Sequence, residues 1–255
     1  LISNYKVNKD KDLIVDLGCN DGSLLNQFKS NGCKKVLGIE PTDTIKLAKK
    51  KGIKTIQSFF NKKSAAEAKK KYGRAKLITT TNVFAHTNNL REFIMGVKKI
   101  INKNGVFVVE NHYLLDVIKK TQFDTFYHEH LRTYSLISLI KLFEIYGLCL
   151  FHAQIVTRYG GSIRCLVSKK KRNRSENLNK LIQIEKDRLI DNSEQTYNEF
   201  VKKIKNSRND LKKMLSEIKS KNLTIVAKSC PARAFVLLHY CDLDESTIYF
   251  ISDNI

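Results

Sequence analysis

Four consecutive side chains, Tyr127, His128, Glu129 and His130, form the stretch of this sequence with the greatest capacity for chemistry. They stand between a strand-like run and a helix-like run, so core packing does not account for them. Histidine titrates near neutral pH, and a neighbouring carboxylate or phenol can orient it or donate a hydrogen bond. Two interpretations are open: His128 and His130 hold a metal ion, or one histidine is a general base.

The metal interpretation is the weaker of the two. Zinc sites usually draw a third ligand from a supportive spacing. The only further histidines near enough in sequence are His86 and His112, and no cysteine lies close by. We therefore predict no metal site, with a site at His128 and His130 as the alternative.

A second group of polar residues follows the first predicted strand, in the run Val15-Asp16-Leu17-Gly18-Cys19-Asn20-Asp21-Gly22. Glycine lets a ligand approach the backbone, and ligands of open α/β sheets bind at the carboxyl ends of strands. The spacing is neither a dinucleotide fingerprint nor a P-loop. Glu40 ends the second predicted strand, about 20 residues on, where a carboxylate can accept both ribose hydroxyls. This pattern predicts a site for a nucleoside without a pyrophosphate.

Later strands also end in polar residues. Asn82 and His86 follow the fourth predicted strand, and Glu110, Asn111 and His112 end the fifth. These positions fall at the edge of the sheet where ligands bind. The sequence favours a structural role and a catalytic role for His86 equally.

The elements that must position these residues alternate between strand and helix. Predicted strands cover 13–18, 35–40, 54–57, 77–81 and 106–110, and predicted helices cover 21–30, 44–50, 62–72 and 90–101. This alternation predicts an α/β fold, a Rossmann-like doubly wound sheet. A helix at 135–146 and two strands at 148–156 and 162–167, joined through Tyr159-Gly160-Gly161, finish the sheet.

Three segments are predicted. Residues 1–168 form the sheet domain, and residues 169–221 form a charged helical linker that lacks glycine and proline and breaks at 191–193. Residues 222–255 begin a second α/β domain that the sequence leaves incomplete.

The charge of the chain favours small anionic ligands over nucleic acid. The formal net charge is +21, but lysine is spread along every segment without an aromatic-basic stripe. Such a surface attracts anions such as nucleotides. Six cysteines form no Cys-x-x-Cys pair, no signal peptide is evident, and no apolar run approaches the roughly 18 residues of a membrane span. We therefore expect a cytoplasmic protein with reduced thiols and no membrane partner.

The glycine-containing run and Glu40 resemble the first two motifs of class I S-adenosylmethionine (SAM)-dependent methyltransferases. The resemblance implies SAM as the cofactor. Its predicted binding residues are Asp16, Gly18, Asn20, Gly22, Glu40 and Asn82.

The runs 82–86, 110–113, 123–131 and 159–164 resemble a narrower group, the sugar C-methyltransferases that methylate a nucleotide-linked 4-keto deoxysugar at C3. The resemblance implies His130 as the base, Glu129 and Tyr127 as orienting or donating groups, and His86 as an aid at the ketone. His128 receives no role. The implied substrate-binding residues are Glu110, Asn111, His112, Gly160, Gly161 and Ser162.

This sequence departs from the narrower group at both ends. Members carry an N-terminal cysteine-rich zinc module, and structural zinc is expected here only if such a module exists. The run Lys228-Ser229-Cys230-Pro231-Ala232-Arg233 stands where members have a glycine-rich turn. The alternatives are a methyltransferase for RNA or another small molecule and a non-catalytic SAM-binding remnant; the sequence predicts no oligomeric state.

Overall fold

The computed structural model describes residues 1–157 and 160–253. A seven-stranded sheet with helices on both faces forms its main body. The elements of this body are β1 (Leu13–Leu17), α1 (Ser23–Ser30), β2 (Lys35–Ile39), α2 (Ile45–Lys50), β3 (Lys54–Ile56), α3 (Lys62–Tyr72), β4 (Ala75–Thr81), α4 (Leu90–Ile100), β5 (Ile101–His112), α5 (Leu114–Lys119), α6 (Leu136–Ile145), β6 (Cys149–Val156) and β7 (Ser162–Ser168).

The strand order is β3-β2-β1-β4-β5-β7-β6, with the first five strands parallel and β7 antiparallel to both of its neighbours, β5 and β6. The order reverses between β1 and β4, so the chain leaves these two neighbours in opposite directions. A crevice forms at such a point, beyond the carboxyl ends of the strands. The predicted Rossmann-like doubly wound fold is confirmed, and the late strand pair completes the sheet as expected.

The sheet interior follows from the apolar composition of its central strands. All five residues of β1 are buried, as is usual for a parallel strand covered on both faces. One core cluster packs beneath α4 and α6, and a second packs beneath α1. The polar residues Asp16 and Glu40 are the exceptions at the carboxyl ends of β1 and β2.

Several boundaries differ from those predicted. β5 begins at Ile101 rather than 106, because Ile101 already pairs with Ala75 of β4 although the polar residues after it give no strand pattern. Helix α5 and a 3-10 turn at Phe123–Thr125 were not predicted. Both are short, and short elements carry little periodic signal.

The predicted linker contains two helices, α7 (Glu176–Lys186) and α8 (Ser193–Ser220), joined by a π-helical turn at Asp187–Asp191. α7 packs against α6 and β6, with Leu178 fully buried. α7 is therefore part of the main body's core as well as a connection. The division of the chain at 168 and 221 stays a prediction.

A small second sheet ends the described chain. β8 (Val226–Lys228) and β9 (Phe250–Ser252) pair in parallel, with α9 (Ala232–Tyr240) between them. α9 packs on the 3-10 turn at Phe123–Thr125. Across residues 1–157 and 160–253, no helix combines the length and apolar character needed to cross a bilayer.

Candidate active site

A cavity of about 770 Å³ opens at the carboxyl ends of β1, β2, β4 and β5. Most of the residues predicted to bind the cofactor, together with one predicted for the substrate, line it. These residues are Asp16, Gly18, Asn20, Glu40, Asn82 and Glu110. The sheet edge therefore brings together side chains that lie almost 100 residues apart.

Glu40 connects the loops that follow β1 and β2. Its side chain accepts a hydrogen bond from the Asn20 backbone N–H at 3.1 Å. Its other carboxylate oxygen accepts from the backbone N–H of Thr42 at 3.0 Å and from the Thr42 hydroxyl at 2.7 Å. These bonds hold a nearly buried carboxylate in one orientation at the cavity wall.

Asp16 is buried beside this carboxylate. The Thr79 hydroxyl donates to Asp16 Oδ1 at 2.6 Å across the β1–β4 pair. Burial raises the pKa of Asp16 to about 7; the Thr79 bond opposes that rise, whereas the charge of Glu40 adds to it. Asp16 is consequently only partly ionised at neutral pH, and a cation in the cavity would favour its ionised form.

The cavity is acidic within a strongly basic chain. Among the described residues that line it, four have a carboxylate side chain and one, Arg164, has a cationic side chain. The acidic residues are Asp16, Asp21, Glu40 and Glu110. Such a lining suits a ligand that carries positive charge and hydroxyl donors.

Two residues that line this cavity also carry buried polar atoms without a partner among the described residues. Glu110 is 3% exposed and accepts from Arg164 Nε at 2.8 Å through Oε2. Its Oε1 atom and Asn82 Oδ1 are buried and lack a hydrogen-bond partner among the residues that the structure describes. Buried polar atoms in folded proteins are normally satisfied, so these two oxygens mark places where a ligand can donate.

The two glycines of the predicted cofactor loop allow a backbone conformation and a close packing that a side chain would prevent. Gly18 and Gly22 have φ of 73° and 76°, where residues with a side chain are strained. A Cβ on Gly18 would lie 2.2 Å from Val83, and one on Gly22 would lie 2.6 Å from Ile53. Gly18 lines the cavity, but Gly22 does not; its space is filled by the protein's own side chains.

Two further histidines and a tyrosine surround His130 in a cluster. The ring centroid of His130 lies 4.8 Å from that of His86, 5.0 Å from that of His112 and 4.6 Å from that of Tyr127. His112 follows Glu110 by two residues in β5 and so lies on the same face of the sheet. The cluster is therefore a neighbour of the acidic cavity.

Backbone contacts fix the orientation of His130. Its Nδ1 atom lies 2.9 Å from the Thr125 carbonyl oxygen. A carbonyl oxygen can only accept, so Nδ1 carries the proton and Nε2 has a free lone pair. Burial lowers the pKa of His130; the Thr125 bond opposes this, and the positive charges of His86 and Arg233 add to it. His130 therefore favours the neutral form that can accept a proton.

The remaining polar groups around His130 differ in burial. Burial lowers the pKa of His112 to about 4, so its imidazole is neutral at pH 7. The Tyr127 hydroxyl donates to Glu129 at 3.2 Å, and burial raises the pKa of Tyr127, which stays protonated. His128 is exposed, with its ring 5.7 Å from that of Tyr127.

The described ranges contain no group of three histidine, cysteine or acidic side chains arranged to hold a metal ion. The histidine cluster is linked instead by ring contacts and by the bond of His130 to a carbonyl oxygen. We derive no metal chemistry from it.

The residues predicted to bind substrate are not all at the cavity. Ser162 pairs with His112 across β5 and β7 and is fully buried. Asn111 is also buried, but strand alternation turns it to the face opposite Glu110. Tyr159 of the predicted motif lies outside the described residues.

Gly160 and Gly161 pack against the segment that includes α5. A Cβ on Gly160 would lie 1.8 Å from Gln122, and a Cβ on Gly161 would lie 2.1 Å from Asp116. Both have positive φ, 81° and 140°. These glycines permit close packing of the loop before β7 on the rest of the domain.

Several site residues were absent from the prediction. Thr42 and Thr79 hold the two buried carboxylates, Thr125 orients His130, and Arg164 pairs with Glu110. Arg164 is the last residue of the run 159–164, so the sequence did contain a signal that could have indicated it. The threonines act through one or two hydrogen bonds each, which no local spacing indicates.

Comparison with protein-family models gives matches to two of them. Residues 2–153 match a model described as a methyltransferase domain. Residues 157–255 match a model described as a C-methyltransferase C-terminal domain. The first match covers more than half of the chain and includes the histidine cluster and every residue that lines the cavity except Leu1 and Arg164.

A curated relative aligns along almost the entire chain. It is the C-methyltransferase NovU of Streptomyces niveus, 30% identical over 248 residues, which are 96% of this chain. The chain spans 59% of the length of that relative.

Solved structures share the fold. A SAM-dependent methyltransferase from Anabaena variabilis has a TM-score of 0.51 at 11% identity, over 66% of this chain and 82% of that one. Magnesium protoporphyrin IX methyltransferase from Synechocystis, solved with bound S-adenosylhomocysteine, has a TM-score of 0.51 at 14% identity, over 66% and 78%.

Proposed function

The chain belongs to the methyltransferase-domain family, and from that membership we propose that it transfers a methyl group from SAM to C3 of a nucleotide-linked 4-keto deoxysugar. One structural relationship supports this proposal above all. Glu110 lines the acidic cavity, and His112, two residues on in the same strand, contacts His130, whose Nδ1 lies 2.9 Å from a carbonyl oxygen. The cavity suits a cationic methyl donor, and the histidine suits removal of a proton from carbon.

The residues of the cavity fit SAM. This cofactor carries a sulfonium and an ammonium group, and the buried oxygens of Asp16, Asn82 and Glu110 can balance or accept from such donors. Glu40, held by Asn20 and Thr42, can accept from ribose hydroxyls. When bound, SAM supplies an electrophilic methyl group on a positively charged sulfur.

His130 is the proposed base. A proton on the carbon next to a ketone is acidic enough to be removed once the resulting enolate is stabilised. His130 Nε2 takes the C3 proton, and the C–H electron pair moves into the enolate. The enolate carbon would then bond the methyl carbon while the bond from that carbon to the SAM sulfur breaks, with its electron pair left on sulfur in S-adenosylhomocysteine. General base catalysis of this kind is worth roughly 10²–10⁴-fold.

Two neighbours can stabilise the enolate oxygen. The Tyr127 hydroxyl stays protonated and can donate to the enolate if its one proton turns away from Glu129, and the ring centroid of exposed His86 lies 4.8 Å from that of His130. Glu129 accepts from Tyr127 and orients its phenol. Donors placed where negative charge develops commonly contribute several kcal/mol.

Deuterium exchange tests the proton-removal step without methyl transfer. The protein is incubated with a dTDP-linked 4-keto deoxysugar in deuterated water, with and without SAM, and exchange at C3 is followed by NMR. We expect exchange in the wild type and its loss in His130→Asn. His128→Asn is the matched control, because this exposed neighbour contacts Tyr127 only at its ring edge.

Two results would overturn the proposal. Exchange that survives His130→Asn removes the base assignment. Absence of exchange and of methyl transfer in the wild type, together with RNA binding that weakens steeply with salt, favours a nucleic-acid substrate. SAM binding without any exchange or transfer favours a cofactor-binding protein that catalyses nothing.

A further inference from the structure

Helix α9 reaches across to the segment that orients the proposed base. Arg233, near the start of α9, donates from Nε to Asp124 Oδ2 at 3.0 Å and from Nη2 to Oδ1 at 2.9 Å. Two parallel bonds between a guanidinium and a carboxylate fix both distance and direction. The two side chains are 33% and 30% exposed, so solvent only partly screens the pair.

A second contact holds the same turn from the other end of α9. The ring of Tyr240, the last residue of α9, meets the ring of Phe123 edge to face, with centroids 5.1 Å apart. Edge-to-face pairs of this kind are favourable beyond the area that they bury. Phe123 and Asp124 are thus held by opposite ends of one helix.

The third residue of the turn orients the base. Thr125 is 1% exposed, its hydroxyl donates to the Gln122 carbonyl at 2.7 Å, and its own carbonyl accepts from His130 Nδ1. In a single 3-10 turn, two residues contact α9 and the next contacts His130. A shift of the turn would carry the Thr125 carbonyl with it.

We propose that Arg233 is a positioning residue for the methyl-transfer reaction, holding Asp124 so that the Phe123–Thr125 turn presents its carbonyl to His130. The inference rests on the proposed function in one respect, the assignment of His130 as the base. It gives the C-terminal segment a catalytic purpose that does not require it to touch the substrate.

Charge gives Arg233 a second effect on the same histidine. Burial is the main cause of the lowered pKa of His130, and the positive charges of His86 and Arg233 lower it further. Glu129 and the Thr125 bond act in the opposite direction. The other groups that face the cluster are His112, Tyr127 and Asp124; Arg233 also lowers the pKa of His112.

Three variants separate positioning from charge. Arg233→Gln removes the positive charge and the two parallel hydrogen bonds to Asp124. Arg233→Lys keeps the charge but cannot form the two parallel bonds. The double exchange Asp124→Arg with Arg233→Asp restores an ion pair in which the two residues have swapped charges. Arg174→Gln is the matched control, because Arg174 forms an exposed ion pair with Glu144 away from the cluster. Circular dichroism and thermal melting identify any variant that does not fold.

Two readouts are measured on the full chain. The first is the titration of His130 followed by NMR with labelled histidine, with His130→Asn identifying the signal. The second is the pH profile of C3 exchange with the dTDP-linked 4-keto deoxysugar. For Arg233→Gln we expect kcat for exchange to fall roughly 10–100-fold, because misplacement by about 1 Å can cost that much.

The direction of the pH shift follows from the sign of the charge. Loss of Arg233 removes a cation and frees the Asp124 carboxylate, so the pKa of His130 rises and the acid limb of the profile moves to higher pH. Arg233→Lys should leave the limb near its wild-type position while kcat falls. The double exchange should recover activity relative to Asp124→Arg alone.

The inference is overturned if the His130 titration and the kcat of Arg233→Gln both match those of Arg174→Gln. If Arg233→Gln does not fold, Asp124→Asn replaces it, and unchanged values there overturn the inference equally. The NMR titration needs no turnover. If the wild type catalyses no exchange, the proposed function fails, and the His130 titration still decides whether Arg233 acts on this residue.

Discussion

The Nδ1 atom of His130 lies 2.9 Å from the carbonyl oxygen of Thr125, and this contact determines which nitrogen of the imidazole can act as a base. The carbonyl accepts only from a protonated nitrogen, so Nε2 is the atom left to take a proton. A histidine in the other tautomer would leave the Thr125 carbonyl without this donor. Thr125 is buried, and an unpaired buried carbonyl costs stability.

The first prediction concerns the acid limb of the pH–rate profile. Burial lowers the pKa of His130 from its ordinary 6.5, and the base must be unprotonated to act. We therefore expect the acid limb of kcat/KM for C3 exchange to be centred below pH 6.5. An acid limb centred clearly above pH 6.5 in the wild type would contradict the assignment.

The second prediction concerns SAM affinity and Asp16. Burial raises the pKa of Asp16 to about 7, and a cationic ligand binds its ionised form more tightly. Calorimetry should give an affinity roughly tenfold weaker at about pH 6 than at about pH 8. Asp16→Asn should lower the affinity at the higher pH and remove this dependence. A wild-type affinity that does not change with pH would contradict the prediction.

The third prediction concerns the stability of the protein without ligand. Ionisation of Asp16 lowers this stability as pH rises, whereas it increases the affinity for SAM. The folded-state pKa of Asp16 lies above its unfolded value of 3.8, so the ligand-free protein loses stability as pH rises between about 4 and about 7. Asp16→Asn removes this cost and should raise the free energy of unfolding above pH 7, by at most about 4 kcal/mol. Denaturant unfolding at about pH 8 is the measurement. A less stable variant would mean that the Thr79 hydrogen bond outweighs the burial of charge.

The order and type of the central elements were predictable because each depends on a local pattern. β1 and β2 are apolar runs that end beside a carboxylate, and glycine or polar residues separate them from the helices that follow. The first residues of β5 were missed because Ile101 is paired by β4 and not by its own neighbours in sequence. At the start of β5, pairing with β4 therefore decided the structure despite the polar sequence pattern.

The residues of the candidate site also divide into those that a general rule predicts from the sequence and those that depend on tertiary contacts. Asp16 and Glu40 were predictable because they follow strands at the crevice edge, a rule that depends on topology alone. The Arg233–Asp124 pair joins residues 109 positions apart, and no spacing indicates it. The glycines show a third case: Gly22 stands in the turn that leads into α1 and is packed beside Ile53 and Ala48, while its predicted role in cofactor binding stays a prediction.

The fourth prediction concerns Glu40, which holds both loops of the cavity. In Glu40→Gln one accepting oxygen becomes an amide donor, so either the Asn20 bond or the Thr42 bonds are lost. Hydrogen bonds to charged groups are worth about 1.5–3 kcal/mol, so SAM affinity should fall roughly 10–100-fold. Glu67→Gln on exposed α3 is the control. Equal affinities for the two variants would show that Glu40 does not organise the site.

The last prediction concerns Glu185, a fully buried carboxylate of α7. It accepts from the backbone N–H groups of Leu136 and Ile137 at 2.7 and 2.6 Å, at the start of α6. A negative charge at a helix N-terminus is favourable, and its removal leaves two buried donors unpaired. Glu185→Ala should therefore lower the free energy of unfolding by about 2–4 kcal/mol.

Glu176→Ala, in the exposed first turn of the same helix, is the matched variant and should cost under about 1 kcal/mol. Denaturant unfolding of both proteins gives the comparison. If α7 were only a connection between domains, the two substitutions would have similar small effects. A large cost confined to Glu185 would mean that the helix following β7 is required for the stability of the methyltransferase domain, because α6 begins directly after the segment that carries His130.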